Sequence, residues 1–348
     1  MCLNTSISQR RHRARKLLVV LAFLLPLAML TGLANGAISL APAQALQALL
    51  AGAEGGQAAI IVQQIRLPRV LLAAVMGATL AMSGAAMQGL FRNPLADPSL
   101  IGVTAGASLG ASLLIVLGGG LLQGFVGLTL VSVGAFIGGV LAVLLVYRLA
   151  NSENGTSVAT MLLAGIAITA LAGAVGSLLE FFTDNERLRQ ISLWKMGGLD
   201  GASLPRLALA SLVSGAVLLA LPRYAPALNT LLLGESEARH LGIDVNRTKL
   251  ALIGWVAVGV GTSVALVGTI AFVGLVVPHV VRLWIGPDHR YLLPASALAG
   301  ATLLVVADTL SRVVLAPTEL PVGIITALIG VPFFISLLRQ RHQYGMQT

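Results

Sequence analysis

PSLIGVTAGASLGASLLIVLGGGLLQGFVGLTLVSVGAFIGGVLAVLLVY, from Pro98 to Tyr147, is a run of 50 residues without one Asp, Glu, Lys or Arg. A helix needs about 20 apolar residues to cross the ~30 Å hydrocarbon core of a bilayer, so this run holds two crossings. Gly118-Gly119-Gly120 with Gln123 divides it into segments over 98–118 and 124–147. A second charge-free run, Leu250–Val281, has 32 residues, too long for one crossing and too short for two full ones. Gly268, Gly274 and Pro278 predict a full helix followed by a short or broken one. Broken helices at membrane depth are tolerated only where they face protein or a water-filled cavity.

Composition agrees with lipid as the main solvent. Hydrophobic residues make up 57% of the chain, charged residues 10%, and the mean hydropathy is +0.91, whereas soluble domains carry about 25% charged residues. The expected fold is an all-α polytopic membrane protein with spans near 17–35, 69–91, 98–118, 124–147, 157–180, 206–222, 249–268, 271–286, 291–308 and 319–338. Arg10, Arg11, Arg13, Arg15 and Lys16 precede an apolar stretch from Leu17 to about Leu33. That stretch is long for the core of a signal peptide, and it reads as a retained first span. Residues 1–16 are then a basic cytoplasmic N-terminus, 17–338 a single ten-span domain and 339–348 a cytoplasmic tail.

The 39 glycines suit close helix packing in lipid. Gly102, Gly106 and Gly110 fall four apart, as do Gly134 and Gly138. Basic residues accumulate on the cytoplasmic side of membranes. With both termini inside, fifteen of the 22 Lys and Arg residues fall on that side. The exceptions are Arg66, Arg69, Arg187, Arg189, Lys195, Arg206 and Arg312.

Catalytic motifs are absent from the sequence. There is no G-x-x-x-x-G-K-[ST] phosphate loop and no H-E-x-x-H metal site, and the G-x-S-x-G match at Gly106-Ala107-Ser108-Leu109-Gly110 lies inside an expected span and not on the strand-to-helix turn of a nucleophile elbow. The single Cys2 leaves no internal disulfide or cysteine-based metal site. The five histidines, His12, His240, His279, His289 and His342, fall in or beside expected cytoplasmic segments. Ionisable groups inside spans mark ion pathways, and Asp308 is the nearest case. Arg312 stands one helical turn away, so a local ion pair is expected there. An ion-coupled secondary carrier of similar span number, the alternative from another class, would need more intramembrane carboxylates. The energy source is expected outside this chain.

Five motifs stand in order: Arg66-Leu67-Pro68-Arg69 leading into Gly84-Ala85-Ala86-Met87-Gln88-Gly89-Leu90-Phe91-Arg92-Asn93-Pro94-Leu95-Ala96-Asp97-Pro98; Gly234-Glu235-Ser236-Glu237-Ala238-Arg239-His240-Leu241-Gly242; Phe272-Val273-Gly274-Leu275-Val276-Val277-Pro278-His279; Ala307-Asp308-Thr309-Leu310-Ser311-Arg312; and Glu319-Leu320-Pro321-Val322-Gly323. In order and spacing the set resembles the iron-chelate and cobalamin permeases of type II ABC importers, from Arg66 to Leu338. The resemblance implies a homodimer in the bacterial inner membrane with the pathway on its two-fold axis. It also implies two ATP-binding subunits on the cytoplasmic face, which hold ATP and Mg, and a periplasmic substrate-binding protein. No cofactor on this chain and no nucleic-acid partner are implied.

The same resemblance assigns roles. Arg66, Arg69 and Arg312 match arginines that accept carboxylates of the binding protein. Gly234, Glu235, Ala238, Arg239, Leu241 and Gly242, within 234–243, match the coupling helices that fit a cleft on each ATPase. The residues alone also suggest a short helix there, with Glu235 and Glu237 at its start and Arg239 and His240 at its end, the order that a helix dipole favours. Asn93, Leu95, Thr156 and Ser157 match the cytoplasmic gate. Thr160, Met161, Gly165, Ile168 and Ala172, on the fifth span, match the translocation path. The loop Phe182–Leu199 and the segment Glu235–Val245 are most similar to the haem-importing branch, with ferric siderophores and cobalamin as alternative substrates. Arg187, Arg189 and Lys195 on the outer loop suit either haem propionates or the binding protein.

Overall fold

The computed structural model describes residues 2–51, 56–118, 124–152 and 155–345. Fifteen α-helices follow in order: α1 (Cys2–Ala34), α2 (Pro42–Leu50), α3 (Gly56–Ile60), α4 (Leu67–Leu90), α5 (Val103–Leu117), α6 (Gly124–Ala150), α7 (Val158–Phe181), α8 (Asn185–Met196), α9 (Leu204–Ala220), α10 (Ala225–Leu231), α11 (Glu235–His240), α12 (Val245–Val267), α13 (Val273–Ile285), α14 (His289–Val313) and α15 (Val322–Gly345). Two short antiparallel strands, β1 (Asn151–Ser152) and β2 (Gly155–Thr156), pair between α6 and α7.

Seven described segments are long and apolar enough to cross a bilayer. Three shorter apolar helices, Val103–Leu117, Val273–Ile285 and Val322–Ser336, bring the described total to the expected ten. The short eighth span is α13, whose 13 residues reach only about 20 Å. It is preceded by a non-helical stretch in which Gly268 and Phe272 both adopt positive φ, +70° and +68°.

The helices sort into an inner and an outer set. In its most apolar stretch the segment containing α4 is 83% buried within the chain, α12 72% and α14 61%. The corresponding shares are 28% for α1 and 22% for α7, so α4, α12 and α14 form the centre. Small residues set how closely they meet. A methyl group on Gly84 of α4 would lie 1.8 Å from the carbonyl oxygen of Gly274 in α13, and one on Gly77 would lie 2.3 Å from that of Gly300 in α14. The four-residue glycine spacing has the same meaning between α5 and α6. Gly106 meets Gly138 and Gly110 meets Gly134, with backbones too close for any side chain.

Three segments differ from the sequence expectation. The second span begins well before Arg69, because α3 runs into a π-helical turn, Ile61–Arg66, and then into α4 without a break. The widened turn lies directly before Pro68, whose ring and missing N–H disturb the i→i−4 ladder there. The sixth span continues through a turn at Leu221–Tyr224 into α10. The loop expected after the fifth span contains α8. Its N-terminus is capped by Asp184, whose carboxylate accepts from the Arg187 backbone N–H at 2.9 Å, and it ends at Gly197 with φ +72°.

Candidate functional site

Two groups of polar residues lie at opposite ends of the bundle. The end that carries the start of α1 also carries the turn after α4, the β1–β2 hairpin, α10 and α11. Helix α11 is a surface element. Its N-cap is Gly234, at φ +125°, and the chain turns away again at Gly242, at φ +83°. Only Ala238 of the six helical residues is buried, and it anchors α11 to the body. Glu237, Arg239 and His240 are exposed, and Leu233 and Leu241 beside them are 67% and 65% exposed. Apolar side chains set among charges on an element outside the apolar spans suit a protein contact.

Glu235 does not share that outward face. It turns inward to Lys249, one turn into α12, with the ammonium 2.6 Å from its carboxylate. Lys249 also donates to the carbonyl oxygen of Thr156 at 2.8 Å. Sequence reasoning counted Lys249 only among the cytoplasmic basic residues. A lysine a full turn inside an apolar helix, with no acidic residue at i±3 or i±4, was the available signal of a distant partner.

The four gate residues occupy two separate turns at this end, Asn93 and Leu95 in one and Thr156 and Ser157 in the other. Asn93 organises the turn after α4, its side-chain oxygen accepting from the Leu95 N–H at 3.0 Å. Thr156 is buried, and its hydroxyl donates to Asn151 across the hairpin at 3.1 Å. Ser157 caps α7, accepting from the Thr160 N–H at 3.3 Å.

The five path residues do not share one open face. Thr160 is exposed. Met161, Gly165 and Ala172 are buried, and Ile168 is half-buried. Gly165 lies against the carbonyl of Leu100 and Ile168 against Gly102, so this stripe packs on the entry to α5. The exposed surface of α7 consists of other residues. Ile166, Thr169, Gly173 and Ser177 follow at helical spacing along one side, and Leu163, Leu171 and Leu178 along another.

At the far end, Arg66, Arg69 and Arg312 converge on the C-terminal ends of α1 and α14. Arg69 is held by Asp308 at 2.8 Å and by Glu319 at 2.7 Å. Arg312 bonds Asp308 at 3.1 Å and the carbonyls of Gly32 and Asn35 at 3.0 and 2.9 Å. Arg66 donates to the carbonyls of Leu33 at 2.7 Å, Ala34 at 3.0 Å and Ile38. All three arginines are buried, and Asp308 is fully so. The expected Asp308–Arg312 pair is present, but Arg69 completes it from another helix. Bidentate or forked guanidinium contacts fix geometry as well as adding energy, and here they tie the end of α1 to α4 and α14. These donors are therefore turned to partners within the chain and not outward.

Three further basic residues at this end are also engaged. Lys195 pairs with Glu180, and Arg187 donates to the carbonyl of Val116 at 3.0 Å. Arg206 reaches Ser132 at 3.1 Å and the carbonyl of Leu266 at 2.9 Å. Arg189, on α8, is exposed.

Known proteins are similar to this chain in sequence and in fold. A hemin transport system permease protein of Yersinia pestis is 50% identical over 281 residues, covering 80% of this chain and 83% of that protein. A cobalamin import system permease protein of Halobacterium salinarum is 48% identical over 291 residues, 82% of this chain and 74% of its own. A solved structure described as a metal-chelate type ABC transporter in an inward-facing conformation matches with a TM-score of 0.83 at 31% identity, over 94% of this chain and 99% of that one. The FecCD transport family matches residues 23–340. On that match, and on a fold shared over nearly its whole length, the chain belongs to the FecCD transport family as a multi-pass permease subunit of an ABC transporter.

Proposed function

We propose that this chain forms a homodimeric pore that imports haem, with two ATP-binding subunits on the end that carries α11 and a substrate-binding protein on the opposite end. ATP and Mg belong to the partner subunits, because the chain has no phosphate-binding loop. The observation that carries the coupling role is the exposed Leu233–Leu241 surface around α11, held to the body by the single buried Ala238. Excess basic residues at that end support a cytoplasmic location for it and for both termini.

Haem is favoured over other chelates by the 50% identity to the hemin permease. Cobalamin is the second reading, supported by 48% identity to a cobalamin permease. The path runs between two copies along the Ile166, Thr169, Gly173 and Ser177 side of α7, where small and polar residues admit water. Arg66, Arg69 and Arg312 serve docking by fixing the rim on which the binding protein sits. Arg189 and the half-exposed Glu319 offer direct contacts.

The test is uptake of labelled haem into proteoliposomes that contain the full transporter, with haem-loaded binding protein outside and ATP inside. ATP-dependent accumulation that requires the binding protein supports the reading. Accumulation of cobalamin with its own binding protein, and not of haem, replaces the substrate and keeps the mechanism. Transport without any ATPase subunit overturns the mechanism.

A further inference from the structure

Lys249 is the largest of the fully buried side chains among the described residues, and that side chain is only 2% exposed. A buried cation is tolerated only when it is paired and hydrogen-bonded. Lys249 meets this need with partners from two other elements, the Glu235 carboxylate of α11 at 2.6 Å and the Thr156 carbonyl of β2 at 2.8 Å. Thr156 is continuous with Ser157, the cap of α7, and its hydroxyl closes the hairpin on Asn151. One ammonium thus joins three elements. They are a surface helix of six residues, the rigid start of α12 and the hairpin from which α7 departs.

This connection has a mechanical consequence. Glu235 is the partly exposed member, at 31%, while Lys249 and the Thr156 carbonyl lie beneath it. A partner that shifts α11 must either carry the ammonium and the hairpin with it or leave a buried charge without a partner. The second outcome costs much more than the first, so the movements are tied.

We propose that Lys249 is a positioning residue that carries displacement of α11 to the β1–β2 hairpin and the first turn of α7. This rests on the reading of α11 as the ATPase contact, and it names the internal link that such a contact would use.

The experiment uses the complete transporter in proteoliposomes, in a Cys2→Ser background with Ala159→Cys on the exposed first turn of α7. The rate of maleimide labelling at position 159 is compared with and without ATP and Mg, alongside ATP hydrolysis. In the Lys249-containing reference, labelling is expected to change about fivefold with nucleotide, a typical strength for coupled sites. Lys249→Met, which keeps the apolar stem, should abolish that change while the ATPase subunits stay bound and hydrolyse ATP. Lys249→Arg, which keeps the charge and several donors, should restore most of it.

A merely structural lysine would reduce the amount of folded transporter but leave the nucleotide response of the folded fraction intact. That result with Lys249→Met overturns the proposal. If Lys249→Met yields no folded protein, Glu235→Gln decides by the same criterion, since it loosens the same link from its exposed side. If the reference transporter shows no nucleotide response, and Leu241→Asp leaves ATPase binding unchanged, the reading of α11 itself fails, and the link falls with it.

Discussion

Asp308 has no exposure and sits between two guanidinium groups, one from its own helix at 3.1 Å and one from α4 at 2.8 Å. Removing one member of such a buried set leaves charge without compensation, which costs about 3–5 kcal/mol. Asp308→Asn is therefore expected to lower the melting temperature of the detergent-purified protein sharply. Glu319→Gln touches the same Arg69, but its carboxylate is 44% exposed and screened, so its cost should stay below about 1 kcal/mol. Similar losses for the two variants would show that the cluster is not organised around Asp308. The Asp308–Arg312 half of this cluster is legible in the sequence, because residues four apart on a helix face each other. The Arg69 half is not, since 239 residues separate it from Asp308. Lys249 and Glu235 are closer in sequence, yet their meeting depends on the Gly242 turn reversing the chain between α11 and α12.

Elements pack here through the absence of side chains. The backbone of α4 at Gly84 lies so near Gly274 that even one methyl group forces α4 and α13 apart. Gly84→Ala should cost about 3 kcal/mol or more through overpacking, read as loss of folded protein after extraction. Gly254 in α12 meets no heavy atom within 4 Å at the corresponding point. Gly254→Ala should be neutral or should stabilise the helix by up to ~1 kcal/mol. An equal effect at both positions would mean that helix propensity, and not approach distance, governs these glycines. Glycine spacing announced the α5–α6 contact because lipid-embedded helices have little else to mark an interface. Helix α8 was missed for a different reason. Its Asp184 cap, Glu186 in the first turn, Lys195 in the last and Gly197 at the end are ordinary helix signals, but they lie in a polar segment between spans, where hydropathy carries no information.

For the whole molecule, charge-free length made the ten crossings readable, because a bilayer of fixed thickness converts apolar run length directly into span number. What length cannot encode is which side of a helix faces inward. In water the buried face is apolar and the exposed face polar; in lipid both are apolar, and periodicity loses its meaning. This bears on α7, where Gly165 and Ala172 are buried and Gly165 lies against the turn before α5, a packing that an apolar helix surface does not announce in sequence. The ends of the molecule are in water, where the usual contrast returns, and α11 was readable for that reason. Leu241→Asp, at a 65% exposed position, should leave folding intact and reduce co-purification of the ATPase subunits about tenfold, the usual effect of placing a charge in the apolar part of an interface. Undiminished co-purification would remove α11 from that interface. The same contrast allows the path to be found by chemistry. In a Cys2→Ser background, a cysteine at Thr169 or Ser177 should react with a water-soluble maleimide in the assembled transporter, because a thiol in a wet path can ionise. A cysteine at Leu171 should remain unreactive against lipid, and one at Met161 should remain unreactive within the protein core. Labelling at Met161 with silence at Thr169 would return the path to the inner stripe and require α7 to leave α5 during transport.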